Sequence, residues 1–410
     1  MSVFVAIGGL ALLILIHEAG HFFAARAVGM SPRRFYVGFP PALFKTTRNG
    51  IEYGLGAIPL GGYVKIPGMH RPAPADLDAY FGPALYESPR LLPAVERVKR
   101  LVAQGDFEEA RAALPDLERT VREAKLPPNA ERSAQRGLSE LTDGLGTDAY
   151  WRQRTWKRLL VIAAGPGTNL VFAIVLLACV YMIGIPSDAS RTVAKVDPGT
   201  PAARSGLREG DTIVAINRVA TFTFDDVRDA IRGSGGKPLV LSVVRKGPRY
   251  VELRPVRPNK TEGVYVLGFR PSAVSYKRYD PATAIALAGK DTWFVTRAMG
   301  TWIGHIARGS GHQEVSSPVG IVRESSKAVA VGIREYLQVL ALISLSLALL
   351  NLLPLLPLDG GHIAFSIIEG VRGRAVGRAV YERVSAVGIA LVLLLFFVGL
   401  SNDIGNIHGG

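Results

Sequence analysis

The chain is poor in cysteine and in acidic residues, and both shortages narrow its class. Its 410 residues include a single cysteine, Cys179, which excludes an intrachain disulfide and a cysteine-based zinc site. Asp and Glu number 34 against 48 Lys and Arg, so the formal net charge is +14. No cluster of basic and aromatic residues accompanies this excess. Basic loops that face anionic lipid headgroups therefore explain the charge better than nucleic acid does. The 48% hydrophobic content favours a membrane protein.

Four long apolar segments predict a polytopic α-helical membrane protein. They cover about residues 3–27, 159–185, 337–358 and 384–400, and each approaches or exceeds the roughly 20 residues that cross a bilayer. We interpret the first segment as a retained helix and not a cleaved signal peptide, because no basic residue precedes it. Basic residues follow the first segment, precede the second and separate the last two. By the positive-inside rule, both termini and residues 186–336 are expected outside the cytoplasm.

The first apolar segment contains the sequence His17-Glu18-Ala19-Gly20-His21. Two histidines four positions apart lie on one face of a helix and can share a Zn²⁺ ion. The glutamate between them is placed to act as general base toward a water molecule. Ionisable residues within a membrane span are costly and are functional candidates by default. The motif therefore predicts hydrolysis inside the membrane.

A third metal ligand is expected, because a catalytic zinc normally has three protein ligands and one open position. Asp359 is the only carboxylate in the apolar stretch from Asn351 to His362. An unpaired carboxylate there is strongly disfavoured, so it requires a metal or a partner. The alternative is a helix-terminal aspartate at the membrane border without a ligand role. His362 is a competing ligand that ranks below Asp359.

The segment between the first two spans predicts a membrane-associated β-hairpin. Apolar residues alternate from Ile51, and a Gly-rich apolar run continues to Ile66 beyond a turn at Pro59. Non-helical backbone at membrane depth must be buried in protein or line a wet cavity. Such an edge strand could hold an extended substrate by strand addition. The alternative is a purely structural hairpin at the interface.

A small β-rich domain is predicted outside the membrane at residues 187–278. Strands are expected at 192–196, 212–216, 239–244 and 264–269, and a helix at 223–231. The segment Asp197–Asp211 resembles the signature of bacterial PDZ domains: a short helix over 201–205, a Gly206 cap, and a turn into a strand. The domain either binds a peptide end by strand addition or only restricts access to the membrane.

The remaining chain divides around these features. We predict the first helix with its hairpin at 1–69, a cytoplasmic helical insert at 70–150 and the second span at 151–186. An interfacial amphipathic segment follows the β-rich domain at 279–336, and the last two spans occupy 337–410. Within the insert, helices are expected at 91–104 and 107–125. We interpret the insert as a helical cap or docking module.

Five features in this order resemble the site-2 protease family of intramembrane zinc metalloproteases, in particular the bacterial regulator of sigma-E protease group. They are His17–His21, the sequence Ile-Pro-Leu-Gly-Gly-Tyr-Val-Lys at 58–65, Gly-Pro-Gly-Thr-Asn at 165–169, the PDZ-like signature, and the Asn351–His362 stretch. The resemblance covers nearly the whole chain except about 70–150. Two departures are a single PDZ-like signature where tandem copies are usual, and the insert itself.

The resemblance implies a zinc metalloendopeptidase of a bacterial inner membrane, acting in regulated intramembrane proteolysis. Its expected substrates are transmembrane segments of single-span membrane proteins, of the anti-sigma factor or remnant signal peptide type. The implied partners are that substrate, the lipid bilayer and a peptide ligand of the PDZ domain, without nucleic acid. The implied residues are the zinc ligands His17, His21 and Asp359, the catalytic Glu18, and the substrate-binding Gly54, Gly56, Gly61, Gly62, Tyr63, Asn351 and Pro354.

Two other functional classes fit the sequence less well than a protease does. A catalytically inactive membrane adaptor would have no reason to bear the burial cost of a complete His-Glu-x-x-His motif with Asp359. A zinc or proton transporter would need a path of ionisable residues. The four spans contain few acids besides those of the motif, so this class is disfavoured.

Overall fold

The computed structural model describes residues 2–245, 247, 249–261, 263–307 and 317–408. The chain divides into two compact units. The helical unit comprises residues 1–176 and 289–410, and the β-rich unit comprises residues 177–288. The helices are α1 (Ser2–Ala27), α2 (Pro74–Glu87), α3 (Leu92–Gln104), α4 (Phe107–Glu123), α5 (Pro128–Leu145), α6 (Thr155–Ile183), α7 (Pro201–Ser205), α8 (Phe224–Arg232), α9 (Pro281–Ala307), α10 (Pro318–Val331), α11 (Ile333–Asn351), α12 (Asp359–Arg372) and α13 (Arg378–His408). The strands are β1 (Arg34–Arg48), β2 (Ile51–Lys65), β3 (Ile185–Val196), β4 (Thr212–Ile216), β5 (Val219–Ala220), β6 (Leu241–Arg245), β7 (Arg249–Glu252), β8 (Asn259–Thr261), β9 (Val264–Val266) and β10 (Phe269–Lys277).

Among the described residues, four helices are long and apolar enough to cross a membrane: α1, α6, α11 and residues 380–403 of α13. They coincide with the four predicted apolar segments. The predicted end of the third span at Leu358 is wrong, because α11 ends at Asn351. Pro354 disfavours helical backbone at the residue before it, and Pro357 removes another backbone donor, so the chain turns instead.

Small residues allow α1 and α6 to cross closely. A Cβ atom added to Gly20 would lie 2.5 Å from the Ala164 carbonyl oxygen. The hydroxyl of Thr168 in α6 donates to the Ile16 carbonyl of α1 over 3.0 Å. Close backbone approach at small residues is a common way for membrane helices to associate. α10 packs against α1 and α11, and the Tyr336 hydroxyl of α11 donates to the Val5 carbonyl over 2.9 Å.

The strands β1 and β2 form a folded sheet beside α1. They are joined at Asn49-Gly50, where both residues have positive φ (51° and 76°), as a two-residue hairpin turn requires. Residues 34–37 are in register with residues 52–55 and with residues 62–65. Residues 52–55 run parallel to residues 34–37, and residues 62–65 run antiparallel to them. The chain therefore reverses direction between Leu55 and Gly62. β1 and the Asn49-Gly50 turn were not predicted.

The four helices α2–α5 pack around their own apolar core. Leu77, Phe81, Leu91, Leu117 and Leu145 are fully buried in it. Both predicted helices are present as α3 and α4, separated by Gly105 with φ 86°. The left-handed conformation at Gly105 ends α3 in the usual way for a glycine cap. The flanking helices α2 and α5 were not predicted.

The β-rich unit has a sheet in the order β10-β3-β4-β6-β7, with β5 beside β4, and a separate β8-β9 hairpin. Its core includes Val193, Ile213, Val227 and Leu241. The predicted helix at 201–205 is present as α7, and Gly206 caps it with φ 85°. Asp211 is buried and accepts two hydrogen bonds of 2.7 Å from Arg245, which joins the turn before β4 to β6. The predicted helix at 223–231 is present as α8.

The segment predicted at 279–336 contains α9, α10 and the first residues of α11. Residues 308–316 of this segment lie outside the described residues. At the start of α10, the backbone amides of Ser317 and Gly320 donate to the buried carboxylate of Asp403 over 2.8 and 3.2 Å. The carboxylate thus satisfies amides that a helix start leaves unpaired, and it ties α13 to α10.

Candidate metal centre and active site

Three potential metal ligands from two helices converge in the helical unit. The ring nitrogens Nε2 of His17 and His21 are 3.3 Å apart. The Oδ2 atom of Asp359 lies 3.1 Å from the first nitrogen and 3.4 Å from the second. Both histidines are buried. Among the described residues, this is the one group of three or more His, Cys, Asp or Glu side chains close enough to share an ion.

The partner of His21 leaves its Nε2 atom available as a ligand. Nδ1 of His21 lies 2.9 Å from the carbonyl oxygen of Val161 in α6. A carbonyl can only accept, so Nδ1 carries the proton, and Nε2 of the neutral ring presents a lone pair. Gly165, one turn along α6, makes room for the ring: a Cβ atom there would lie 2.2 Å from His21 Nε2.

Asn169 plays the corresponding part for His17. Its amide nitrogen lies 3.4 Å from His17 Nδ1, while its buried Oδ1 has no hydrogen-bond partner among the described residues. The two ends of an amide are assigned from their hydrogen bonds. The reversed amide satisfies Oδ1 with the Nδ1 proton of His17 and leaves Nε2 free as a ligand. The hydroxyl of Ser344 in α11 donates to the backbone carbonyl of Asn169 over 2.8 Å, which fixes this turn of α6.

Asp359 reaches the histidines because α12 begins in a tight turn. A Cβ atom on Gly360 would lie 2.2 Å from the Leu353 carbonyl oxygen, and one on Gly361 would lie 2.6 Å from the Leu356 nitrogen. Only glycines therefore fit against the turn that follows α11. As a result the first residue of α12 faces α1 instead of solvent.

The donor set fits a zinc ion. Ligand atoms about 2.0–2.1 Å from a tetrahedral zinc lie about 3.3–3.4 Å from one another, and the three separations here are 3.1, 3.3 and 3.4 Å. Asp359 Oδ2 is buried and has no hydrogen-bond partner among the described residues. With both histidines protonated on Nδ1, two nitrogen lone pairs and a carboxylate oxygen face one another at these distances and repel. A cation removes that repulsion.

Glu18 lies between this group and the sheet. Its carboxylate is close to His17, His21 and Asp359 and faces the backbone of Val64. Gly62 approaches Glu18 closely: a Cβ atom there would lie 3.0 Å from Glu18 Cγ and 2.7 Å from the Tyr36 carbonyl oxygen. A larger residue at position 62 would therefore separate the strand from the carboxylate.

Residues 62–65 present a backbone edge toward Glu18. The Lys65 carbonyl accepts a hydrogen bond from the Arg33 amide over 2.8 Å, so the backbone groups of Lys65 point toward β1. Backbone direction alternates along a strand, and those of Val64 and Gly62 therefore point to the outer edge. Among the described residues, no further strand pairs with this sheet.

The other predicted substrate-binding residues lie in β2 and at or just after the end of α11. Tyr63 stacks on Tyr36 with ring centroids 5.1 Å apart. Gly54 lies under the Tyr36 ring, which a Cβ atom would meet at 2.2 Å. Gly56 and Gly61 flank the reversal of the chain. Asn351 ends α11 half-buried, and Pro354 is exposed in the turn after it; neither belongs to the three-ligand group.

His362 does not join the ligand group, although it lies only three residues after Asp359. Its Nδ1 atom is 2.7 Å from the Tyr381 hydroxyl. Burial lowers the pKa of His362 to about 4, so it is neutral at physiological pH.

A cavity of about 1070 Å³ adjoins the strand edge. Its wall includes Tyr63, Val64, Glu140, Arg158, His362 and Ser366. Val64 thus borders both Glu18 and the cavity, and the insert, α6 and α12 each contribute polar groups to the cavity wall.

Sequence reasoning missed the supporting residues on α6. Gly165, Thr168 and Asn169 were noted only as part of a matching motif, and Val161 was not noted. Spacing offered a partial signal: residues 161, 165 and 169 recur every four positions, which places them on one helix face. Asn169 is a polar residue on this face of an otherwise apolar span, and such a residue is a candidate for a functional role.

A His-Glu-x-x-His motif on an apolar helix, with a carboxylate as the third ligand, defines a membrane metallopeptidase. Residues 5–395 match Peptidase family M50, and the chain belongs to that family. It is similar to the provisionally named zinc metalloprotease Atu1380 of Agrobacterium fabrum, with 29% identity over 98% of this chain and 94% of the relative. It is also 28% identical to the zinc metalloprotease RasP of Bacillus licheniformis and to the protease RseP of Yersinia pestis, over 96% of each chain.

These relationships confirm the resemblance to the site-2 protease family. They support an intramembrane zinc metalloprotease with Zn²⁺ as its cofactor, and the family implies a membrane-protein substrate and a lipid bilayer.

Proposed function

We propose that this protease cleaves the transmembrane segment of a single-span membrane protein, of the anti-sigma factor or remnant signal peptide type. The observation that carries the proposal is the position of Glu18, between three converging ligand atoms and an unpaired strand edge. A protease for globular substrates has no need of this arrangement inside apolar helices. A protease for membrane segments needs both parts in one place.

In this proposal His17, His21 and Asp359 hold the zinc ion. When bound, the ion supplies Lewis-acid activation of a water molecule and of the substrate carbonyl. Val161 and Asn169 keep the two imidazole rings in the tautomer and orientation that a ligand needs. Glu18 accepts a proton from the attacking water and passes it to the departing amine.

The strand edge at Gly62–Lys65 receives the substrate. A helical segment hides its backbone amides in internal hydrogen bonds, so it must unwind before any peptide bond is accessible. In a membrane each unsatisfied backbone group costs several kcal/mol. The outward backbone groups of Gly62 and Val64 compensate that loss by strand addition. Gly54, Gly56, Gly61, Tyr63, Asn351 and Pro354 shape the surface along which the substrate lies.

The cavity next to Val64, whose lining includes polar groups, is the proposed route for water. Hydrolysis consumes one water molecule for each bond cleaved, and an apolar bundle admits none without a polar path. In this proposal the cavity opens to the cytoplasm, because basic residues surround the insert and α12, which contribute to its lining.

The proposed topology has four crossings in a bacterial inner membrane, with both termini extracytoplasmic. The β-rich unit is then a PDZ domain on the outer side. The α7 helix, its Gly206 cap and the following β4 strand support this assignment. Such a domain takes an extended peptide end on a strand or restricts access of long ectodomains.

Zinc content and cleavage of the detergent-purified protein test the proposal. The substrate is a single transmembrane segment with a helix-destabilising residue, and the control is Glu18→Gln. We expect about one zinc per chain in both proteins and cleavage only in the wild type. Zinc in both proteins with equal cleavage would refute the role of Glu18. Cleavage of soluble unfolded peptides but of no membrane segment would refute the proposed substrate class.

A further inference from the structure

The insert is tied to the strand edge by a group of charges around one buried carboxylate. Asp143, near the end of α5, is 6% exposed. One of its carboxylate oxygens lies 2.7 Å from Arg33 Nε and the other 3.0 Å from Lys65 Nζ. Arg33 immediately precedes β1, and Lys65 ends β2. A single carboxylate of the insert therefore joins the two neighbouring strands of the sheet.

Neighbouring acids complete this group, and no charge in it is left alone. Lys65 Nζ also lies 2.8 Å from Glu140, and Arg33 lies 3.0 Å from Asp148. Burying charges is costly unless they are paired, and removal of one partner from a buried pair is strongly destabilising. Asp143 is the most deeply buried member, and it is the acid that contacts both cations.

Backbone contacts extend the same attachment. The amide of Tyr150 donates to the Pro67 carbonyl over 2.8 Å, and that of Trp151 to the Gly68 carbonyl over 3.1 Å. Ile66 and Tyr150 are buried in one cluster with the end of α1. The segment that leaves the insert thus runs beside the segment that follows β2, and the insert encloses the end of the strand edge.

The attachment of Lys65 affects the strand residues that face Glu18. Val64, whose backbone faces Glu18, directly precedes Lys65. A shift of Lys65 along the strand moves Val64 and Gly62 relative to the carboxylate by the same distance. A misplacement of about 1 Å can lower a catalysed rate about 10²-fold.

We propose that the insert holds the edge strand Gly62–Lys65 in register beside Glu18 through Asp143, which is a positioning residue for cleavage. This inference rests on the proposed function, since it assumes that the substrate pairs with the edge. The insert then determines which peptide bond is cut. A loosened strand would accept the substrate in more than one register.

The test compares Asp143→Asn with Asp78→Asn, the same chemical change elsewhere in the insert. Asp78 pairs with Lys99 over 2.6 Å, within the insert alone. Each full-length protein is assayed for zinc content, for kcat/KM on the transmembrane substrate and for the cleaved bond by mass spectrometry. Hydrogen exchange of the amides at 62–65 reports on the strand independently of activity.

For Asp143→Asn we expect about one zinc per chain and kcat/KM lowered by about 10²-fold. We also expect additional cleavage two residues from the wild-type site, because a two-residue slip keeps the same side chains facing the enzyme. Exchange at 62–65 should be at least about tenfold faster. Asp78→Asn should match the wild type in all four measurements. A general loss of insert stability would lower activity without moving the cleavage site.

Unchanged exchange at 62–65 and an unchanged cleavage site in Asp143→Asn would overturn the proposal, as would equal effects of Asp78→Asn. If Asp143→Asn does not fold, Lys65→Met is the second test, because it leaves the Arg33–Asp143 pair in place. This variant should show the same secondary cleavage, with kcat/KM lowered by about tenfold. If the wild type cleaves no membrane segment, the proposed function fails, and the exchange comparison still tests the role of Asp143.

Discussion

Replacing Gly165 by alanine is expected to remove zinc from the protein without unfolding it. The glycine lies on the face of α6 that packs against His21. A Cβ atom at this position would lie 2.2 Å from His21 Nε2, 2.5 Å from Cε1 and 2.8 Å from Cδ2. The first of these atoms is the one proposed to bind the metal.

The size of the effect follows from these distances. The ring must retreat by about 1 Å before the closest contact reaches the ordinary 3.4 Å. Metal–ligand distances tolerate a change of about 0.2 Å. Rotating the ring instead breaks its 2.9 Å hydrogen bond to Val161. Loss of an outer-shell partner alone weakens metal binding 10–100-fold. We therefore expect zinc affinity to fall by more than about 10²-fold, or about 3 kcal/mol.

Gly167→Ala provides a matched control. It is the same change on the same helix, and nothing lies within 4 Å of its added Cβ. Both variants gain about 1 kcal/mol of helix propensity, so both should keep the helix content of the wild type by circular dichroism. Zinc is measured by elemental analysis and its affinity by competition with a chelating indicator. A Gly165→Ala protein that keeps one zinc per chain at wild-type affinity would refute the reasoning.

Three further outcomes are expected. Glu18→Gln should bind zinc like the wild type and lose at least about 10²-fold in kcat, the usual share of a general base; equal turnover would exclude that role. Asn169→Ala should weaken zinc binding about 10–100-fold by releasing His17, measured by the same indicator competition, whereas an unchanged affinity would show that Asn169 does not orient the ring. Because the pKa of buried His362 is lowered to about 4, the unfolded chain takes up this proton first, near pH 6.5. The contribution of neutral His362 to the free energy of unfolding is therefore full above about pH 6.5 and is lost, by about 3 kcal/mol, toward pH 4. Thermal unfolding of His362→Gln should lack this part of the pH dependence. Equal pH profiles of the variant and the wild type would contradict the prediction.

Local patterns were sufficient for much of the fold. The apolar segments predicted four helices, and α3, α4, α7 and α8 begin and end within two residues of their predicted bounds. Each of these elements has a signal in its own sequence, such as the glycines at positions 105 and 206 that end helices. The third span was predicted too long because an apolar run continues through Pro354 and Pro357, and apolar character alone does not reveal where a helix ends.

The sheet was predicted less well than the helices. Its strand β1 contains Pro40 and Pro41, which weaken any strand signal. Its central residues 34–37 pair with two segments that are distant from them in sequence. Register of this kind depends on contacts across the fold, which neighbouring residues do not encode. The Asn49-Gly50 pair was the available local signal for the hairpin turn.

The sequence by itself determined the chemistry that is possible: two histidines and a glutamate on one helix face, and a lone carboxylate far along the chain that needed a partner. Only the tertiary structure brought Asp359, and not His362, to within 3.4 Å of both imidazoles. The tertiary structure alone also set Asn169 against His17, and Asp143 of the insert against Arg33 and Lys65. The reason is physical. Helix periodicity acts over a few residues, whereas these contacts join positions that are 78 to 342 residues apart and depend on how closely glycine-lined helices and strands can approach one another.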